Sequence, residues 1–282
     1  MKLFYMIFVL LLIPWSIGAQ NKHSNYICTK TFIGRNDSLT TIEYFDGLGR
    51  NSEKVKKGYS DGGNKDLVSL VEYDGMGCEQ KSWNPTPFSS TGNAIKPNVF
   101  QATAKDIHKD SAPYSEYEYD KTVSNQVVKE MGPGYAWQQS SKARNIEYGR
   151  TETMKYPWFV MNSDGMSFGF KRYHTMCSLN MVKVTDEDGI SIAKYYDMFG
   201  RLVMEKMGDG SITYFIYDVY GNLVYVLPPA AYNTCLTRNQ VYSINSNENL
   251  QKYAYFYRYD GKNRCIEKKL PGCEPIKMIY DK

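Results

Sequence analysis

The chain has 282 residues, 34 of them basic and 30 acidic, a formal net charge of +4, and 25 tyrosines and 22 glycines. Charges of both signs are spread along it, so composition gives no electrostatic footprint for nucleic acid or an anionic membrane surface. A tyrosine-rich, glycine-punctuated chain with a mean hydropathy of −0.51 suits pleated, half-exposed strands better than helices, and its length allows one or two domains with a substantial core.

The first predicted element is a leader over 1–19. Lys2 gives a positive start, Leu3 to Ile17 is an apolar run broken only by Pro14 and Ser16, and Gly18 and Ala19 precede Gln20. This is the pattern of a secretory signal peptide cut after Ala19. The run is shorter than the roughly 20 residues a spanning helix needs, so no membrane span is expected once it is removed. No cysteine follows the cut directly, which argues against a lipid anchor. The mature chain is expected to be exported, secreted or held on the outer cell surface. All six cysteines, Cys28, Cys78, Cys177, Cys235, Cys265 and Cys273, lie in that exported part. Their irregular spacing, without a C-x-x-C, leaves bridges and free thiols both open.

Residues 20–84 read as a first β segment with two hairpin corners, Asp46-Gly47-Leu48-Gly49 and Asp74-Gly75-Met76-Gly77. The basic run Lys54 to Lys57 reads as a solvated strand face that blunts edge pairing. Residues 85–113 are rich in Pro, Ser, Thr and Asn and are expected as a polar surface excursion. Residues 114–180 read as a middle β segment. Within it Gly132-Pro133-Gly134 is expected as a plain turn, with no helix pattern after it that could supply an anion-binding dipole.

Residues 181–282 read as a repeat array. Tyr-Asp recurs at 73–74, 119–120, 196–197, 217–218, 259–260 and 280–281, and Asp197, Asp218, Asp260 and Asp281 are separated by 21, 42 and 21 positions. Asp at the first and Gly at the fourth corner position are the preferences of a type I turn closed by a left-handed residue, the three-residue hairpin connection. Asp186-Glu187-Asp188-Gly189 repeats the turn without the tyrosine, and Asn263 stands where the others have Gly. Asp120-Lys121-Thr122-Val123 lacks the glycine and must turn differently. Strands are predicted over 190–196, 201–207, 211–217 and 222–228, an antiparallel meander with two strands and two turns per 21-residue unit. The insertion 230–252 fills the doubled interval and is expected to hold one short helix. Each Tyr ends its strand at the same depth, so the rings are expected to stack from unit to unit. The phrase therefore reads as a structural corner, not a recurring ligand site.

The segments EYFDGLGR (43–50), YDMFGRLVMEK (196–206), YDVYGNLVYVLPP (217–229) and YRYDGKNRCIEKKLPG (257–272) resemble YD repeats, also called Rhs repeats, of exported bacterial proteins. Their order, with PYS (113–115), PGYAW (133–137) and EYG (147–149) between them, is similar to the amino-terminal region of Bacteroidetes-type Rhs proteins. The resemblance implies an all-β fold in which antiparallel hairpin repeats form part of a larger β-shell or spiral. Some shells of this kind enclose a toxin, and related repeats occur in adhesion proteins. The sequence stops in mid-phrase at Ile279-Tyr280-Asp281-Lys282 and carries no toxin-like end, so it is expected to be the front end of a larger protein, with an uncovered last hairpin prone to self-association. The missing downstream repeats, or a related repeat chain, are its expected partner.

No catalytic, cofactor-binding or metal-binding residues are assigned. His23, His108 and His174 lack a ligand-like spacing, His174 being expected as a satisfied surface or sheet histidine. There is no G-x-S-x-G and no phosphate loop. The expected function is that of a non-catalytic structural segment, a shell or surface scaffold, with no cofactor and no nucleic acid. The alternative is a module that binds cell-surface glycan or protein through exposed tyrosines; an exported hydrolase has no support in the residues.

Overall fold

The computed structural model describes residues 25–33, 37–89, 92–140, 142–152 and 155–281. The expected signal peptide over 1–19 and His23 lie outside the described residues. The protein is all-β with antiparallel pairing throughout, and it divides into two compact units. The first holds the residues up to Glu116 together with Gly132–Gln138; the second holds Tyr117–Met131 and the residues from Gln139 onward.

In the first unit, β1 (Asn25–Phe32), β2 (Ser38–Phe45), β3 (Asn51–Ser60), β4 (Lys65–Tyr73) and β5 (Glu79–Trp83) form a meander in which each strand pairs with the next. A short β6 (Thr86–Phe88) returns to β4, and the start of β7 (Tyr114–Tyr119) pairs with β5. Side chains alternate across a strand, so Glu53 and Val55, and Asp66, Val68 and Leu70, share the buried face. Lys54 and Lys56 point the other way, and Lys54 pairs with Glu43 at 2.8 Å.

The stretch expected as a surface excursion differs from that reading. Helix α1 (Pro97–His108) lies in it, with proline in its first turn and a left-handed Lys109 (φ 52°) at its end. Phe100 and Ala104, one turn apart, are fully buried, and Phe100 packs against Trp83 and Phe88. A second correction concerns Gly132-Pro133-Gly134, because a single helical turn, α2 (Tyr135–Gln139), does follow it. The Asp110 carboxylate accepts from the backbone N–H of Tyr135 and of Ala112, which holds its pKa below the ordinary carboxylate value.

The second unit contains β8 (Val127–Met131), β9 (Arg144–Arg150), β10 (Pro157–Met161), β11 (Ser167–Tyr173), β12 (Asn180–Thr185), β13 (Ser191–Tyr196), β14 (Leu202–Met207), β15 (Ile212–Tyr217), β16 (Leu223–Leu227), β17 (Val241–Ser243), β18 (Tyr255–Tyr259), β19 (Cys265–Lys269) and β20 (Ile276–Lys277). Its main sheet runs β8-β9-β12-β13-β14-β15-β16-β18-β19-β20. The strands predicted from 190 to 228 are present within a residue or two of their expected ends. Between β16 and β18, where one helix is expected, lie two short ones, α3 (Pro229–Tyr232) and α4 (Glu248–Tyr253), with β17 between them.

Strands β10, β11 and β17 form a separate small sheet. Its Phe159, Phe168, Phe170 and Tyr242 join Tyr214, Tyr225 and Phe256 of the main sheet in one aromatic core. Two buried tyrosines fasten it: the Tyr214 hydroxyl donates to the Pro157 carbonyl and the Tyr225 hydroxyl to that of Met166. At roughly 25 cal/mol per Å² of apolar surface removed from water, such rings dominate what holds the insert down.

Candidate functional site

Six corners share one geometry. In each, the first Asp donates its backbone N–H to the carbonyl four residues on, and the fourth residue donates back to the Asp carbonyl, for example at 3.0 Å from Gly200 to Asp197. One carboxylate oxygen of Asp197 accepts from the N–H of Phe199 and of Arg201, at 2.9 and 3.0 Å. The same pair of bonds occurs at Asp46, Asp74, Asp186, Asp218 and Asp260. The fourth residue must take positive φ, which glycine tolerates: Gly221 has φ 87°, and at the sixth corner Asn263 has φ 60°. Asp120 does turn differently, through a wider loop closed on Gln126 with Asn125 left-handed at φ 45°.

The last letters of the phrase join one corner to the next. Arg50, Arg201 and Arg264 each place Nε and Nη2 on their own corner aspartate at 2.7–2.8 Å. Those guanidinium groups then lie 4.3, 5.2 and 4.8 Å from the ring centres of Tyr73, Tyr217 and Tyr280. These three tyrosines donate their hydroxyls to the carbonyls of Asn51, Leu202 and Cys265, each five residues past the preceding corner aspartate. Tyr259 does the same to Leu223. There the arginine is replaced by Asn222, which reaches sideways to Asn263 of the following corner at 3.0 Å. The expected ring-on-ring stacking is thus corrected: a corner tyrosine meets a cation and a carbonyl of its neighbour. The repeated phrase is a joint, closed locally by Asp and Gly and linked onward by Arg and Tyr.

In the second unit two adjoining cavities, of about 450 and 580 Å³, lie between this corner row and the β10–β11 hairpin. Trp158, Arg172 and His174 line the first opposite Phe199 and Tyr217; Asn162 and Asp164 line the second opposite Asp218 and Asp260. Contrary to the sequence expectation, His174 is neither exposed nor satisfied. It is 7% exposed, stacks on Trp158, and its Nε2 has no hydrogen-bond partner. Burial first, then the Arg172 charge, pushes its pKa down to about 4, with Asp197 opposing. The Ser178 hydroxyl donates to the Thr175 carbonyl at 2.7 Å, so toward Nδ1 (3.5 Å) it accepts; Nδ1 carries the proton and Nε2 is left as a bare acceptor.

The first unit holds its own buried polar cluster. Glu53 is fully buried and both its oxygens accept from the Ile95 N–H; burial pushes its pKa up to about 7. Asp66 accepts from the N–H of Gly58 and Gly92, and the Tyr44 hydroxyl donates to the Gly92 carbonyl at 2.6 Å. The three fasten the strap Gly92–Ile95 over the sheet. Neither acid stands out as a candidate in the sequence, although the alternation Glu53-x-Val55 and Asp66-x-Val68-x-Leu70 sets both in register with buried aliphatics. His108 meets Thr86 at 3.3 Å and its charge acts on Asp110, and no group of three metal-binding side chains occurs among the described residues. Cys235 is buried, which raises its thiol pKa to about 11.

The fold places the chain among all-β proteins built from antiparallel hairpins. Residues 19–150 match the family model described as Domain of unknown function (DUF6443), a little less than half of the chain. No curated protein matches. Among solved structures the chain is similar to the crystal structure of TcdB2-TccC3, at 14% identity and a TM-score of 0.40, over 86% of this chain and 11% of that one. The chain therefore spans about a tenth of the length of that relative. No helix among the described residues is long and apolar enough to cross a membrane.

Proposed function

We propose that the protein is a non-catalytic structural segment of an exported YD/Rhs-repeat protein, a stretch of shell or surface scaffold. The observation that supports this reading is the joint itself: the recurring residues are consumed in closing corners and linking them, which leaves none of them over for chemistry. The leader pattern at 1–19 supports export, and further YD repeats are the natural partner, since pairing with them covers sheet edges that otherwise template self-association. Size-exclusion chromatography with amide exchange tests it on the exported chain. Self-association of the chain, or binding of a separate YD-repeat segment that raises protection of the edge strand β20, is the expected result; a clean monomer that binds no such segment contradicts it. A second reading, binding of glycan or protein through tyrosines, draws on Tyr173 and Tyr220, 45% and 78% exposed. Micromolar glycan-array binding lost on Tyr→Ala changes at those positions would favour it.

A further inference from the structure

The two cavities of the second unit share Met161, Asp218 and Val219, so they are compartments of one groove. Along one side run three successive corners, at Asp197, Asp218 and Asp260, each two strands from the next in the sheet. With strands about 4.8 Å apart, that wall is roughly 20 Å long, the span of about six residues of extended chain. At the first two of these corners the tips are apolar and turned to solvent, Phe199, Val219 and Tyr220 being 75%, 88% and 78% exposed, whereas the third carries Gly261 and Lys262. Closing the turn does not require an apolar second residue such as Val219, since Gly47, Gly75 and Gly261 stand at that position in other corners.

The two ends of the groove differ in charge. At the Trp158 end the Arg172 guanidinium lies 4.1 Å from the Trp158 ring centre and has no acidic partner among the described residues, whereas the nearby Arg201 is neutralised by Asp197. At the other end stand the carboxylates of Asp164 and Asp218, while that of Asp260 is neutralised by Arg264 at 2.8 Å. Arg258, which also lines that end, is paired with Glu267 at 2.7 Å. The wall also carries an unmet acceptor, the buried His174 Nε2.

We propose that this groove binds an extended peptide segment of another polypeptide, about six residues long, acidic where it meets Arg172, apolar along the Phe199, Val219 and Tyr220 tips, and basic where it meets Asp164 and Asp218. The inference goes beyond the scaffold reading and stands or falls separately from it. The length of the wall selects an extended chain over a compact ligand, and the opposed charges fix which end goes where.

The test is fluorescence anisotropy on the mature chain with four labelled, end-blocked hexapeptides that share a Leu-Phe-Leu-Ser centre. Two carry Glu at one end and Lys at the other, in either order; one carries Glu at both ends and one Lys at both. One of the two bipolar peptides is expected to bind at least about tenfold more tightly than either uniform peptide. Arg172→Glu should transfer the preference to the peptide with Lys at both ends, and Phe199→Ser should weaken all binding. Both positions are exposed, so the variants keep the wild-type circular dichroism spectrum. Absence of binding up to about 1 mM, equal binding of all four peptides, or a preference that Arg172→Glu leaves unchanged overturns the proposal.

Discussion

Every hydrogen bond that closes the Asp197 corner comes from within four residues. The strap Gly92–Ile95 in the first unit is instead held by residues 26, 42 and 48 positions away. The β10–β11 hairpin in the second is pinned by Tyr214 and Tyr225 from 57 and 59 positions away. A corner of the first kind closes wherever its six letters occur, because donor, acceptor and positive-φ residue are supplied together. The strap and the insert exist only once a distant buried partner is in place, and their stability follows that partner's packing and protonation.

The comparison breaks first, and most severely, in the core beneath the insert. Phe168 is fully buried against Phe159, Tyr225 and Tyr242, so Phe168→Ala should cost about 3–5 kcal/mol in urea unfolding. Phe199→Ala, at an exposed corner tip, should stay within about 0.5 kcal/mol. Similar losses at the two positions would mean the insert is not held by this core.

Protonation should act on the two long-range fastenings with opposite sign, each on the order of a few kcal/mol. Glu53 has its folded pKa raised from 4.5 to about 7, so the native state holds the extra proton between those values. Its contribution is full below pH 4.5 and is lost as the pH rises through 7. His174, facing Arg172 and Asp197, has its folded pKa lowered from 6.5 to about 4. The unfolded state then binds the extra proton, and stability present above pH 6.5 is lost as the pH falls toward 4. Amide exchange followed separately in the two units should show these opposite slopes, with Glu53→Gln flattening the first and His174→Phe the second. Slopes of the same sign, or slopes unmoved by those changes, would refute the assignment.

Within the corners the effects are smaller and positional. Gly221→Val forces a β-branched residue to φ 87° and should cost about 1–3 kcal/mol. Gly77→Ala should cost more than Gly49→Ala: both have positive φ, but a Cβ at Gly77 would stand 2.8 Å from Arg50 Nη1, while nothing lies within 4 Å at Gly49. Equal losses in parallel melts would show that Arg50 does not bridge to the next corner. Smaller again is Tyr217→Phe, which removes the 2.9 Å bond to the Leu202 carbonyl and should cost about 0.5–1.5 kcal/mol.

What could be read in the sequence divides along the same line. Asp197, Gly200 and their counterparts reveal the turn because turn chemistry is local, and the strands between them follow from spacing. The joint is half legible: Arg at the sixth letter is visible in YDMFGR, but only the sheet brings Arg201 to Tyr217 and the Tyr217 hydroxyl to Leu202. Helix α1 is hidden because only Phe100 and Ala104 mark its buried face in an otherwise polar stretch. Glu53, Asp66 and His174 are ordinary surface letters until a strap or an insert lands on them, and that landing depends on contacts far apart along the chain.

The central claim, that the repeated phrase links each corner to the next, is tested most directly by a double-mutant cycle between corners. Arg201→Gln, Tyr217→Leu and the double variant are compared by urea unfolding. The account predicts a coupling of about 0.5–1 kcal/mol between the two positions, the worth of a guanidinium held against a half-buried ring. Strictly additive losses would show that each corner stands alone and that the joint does not exist.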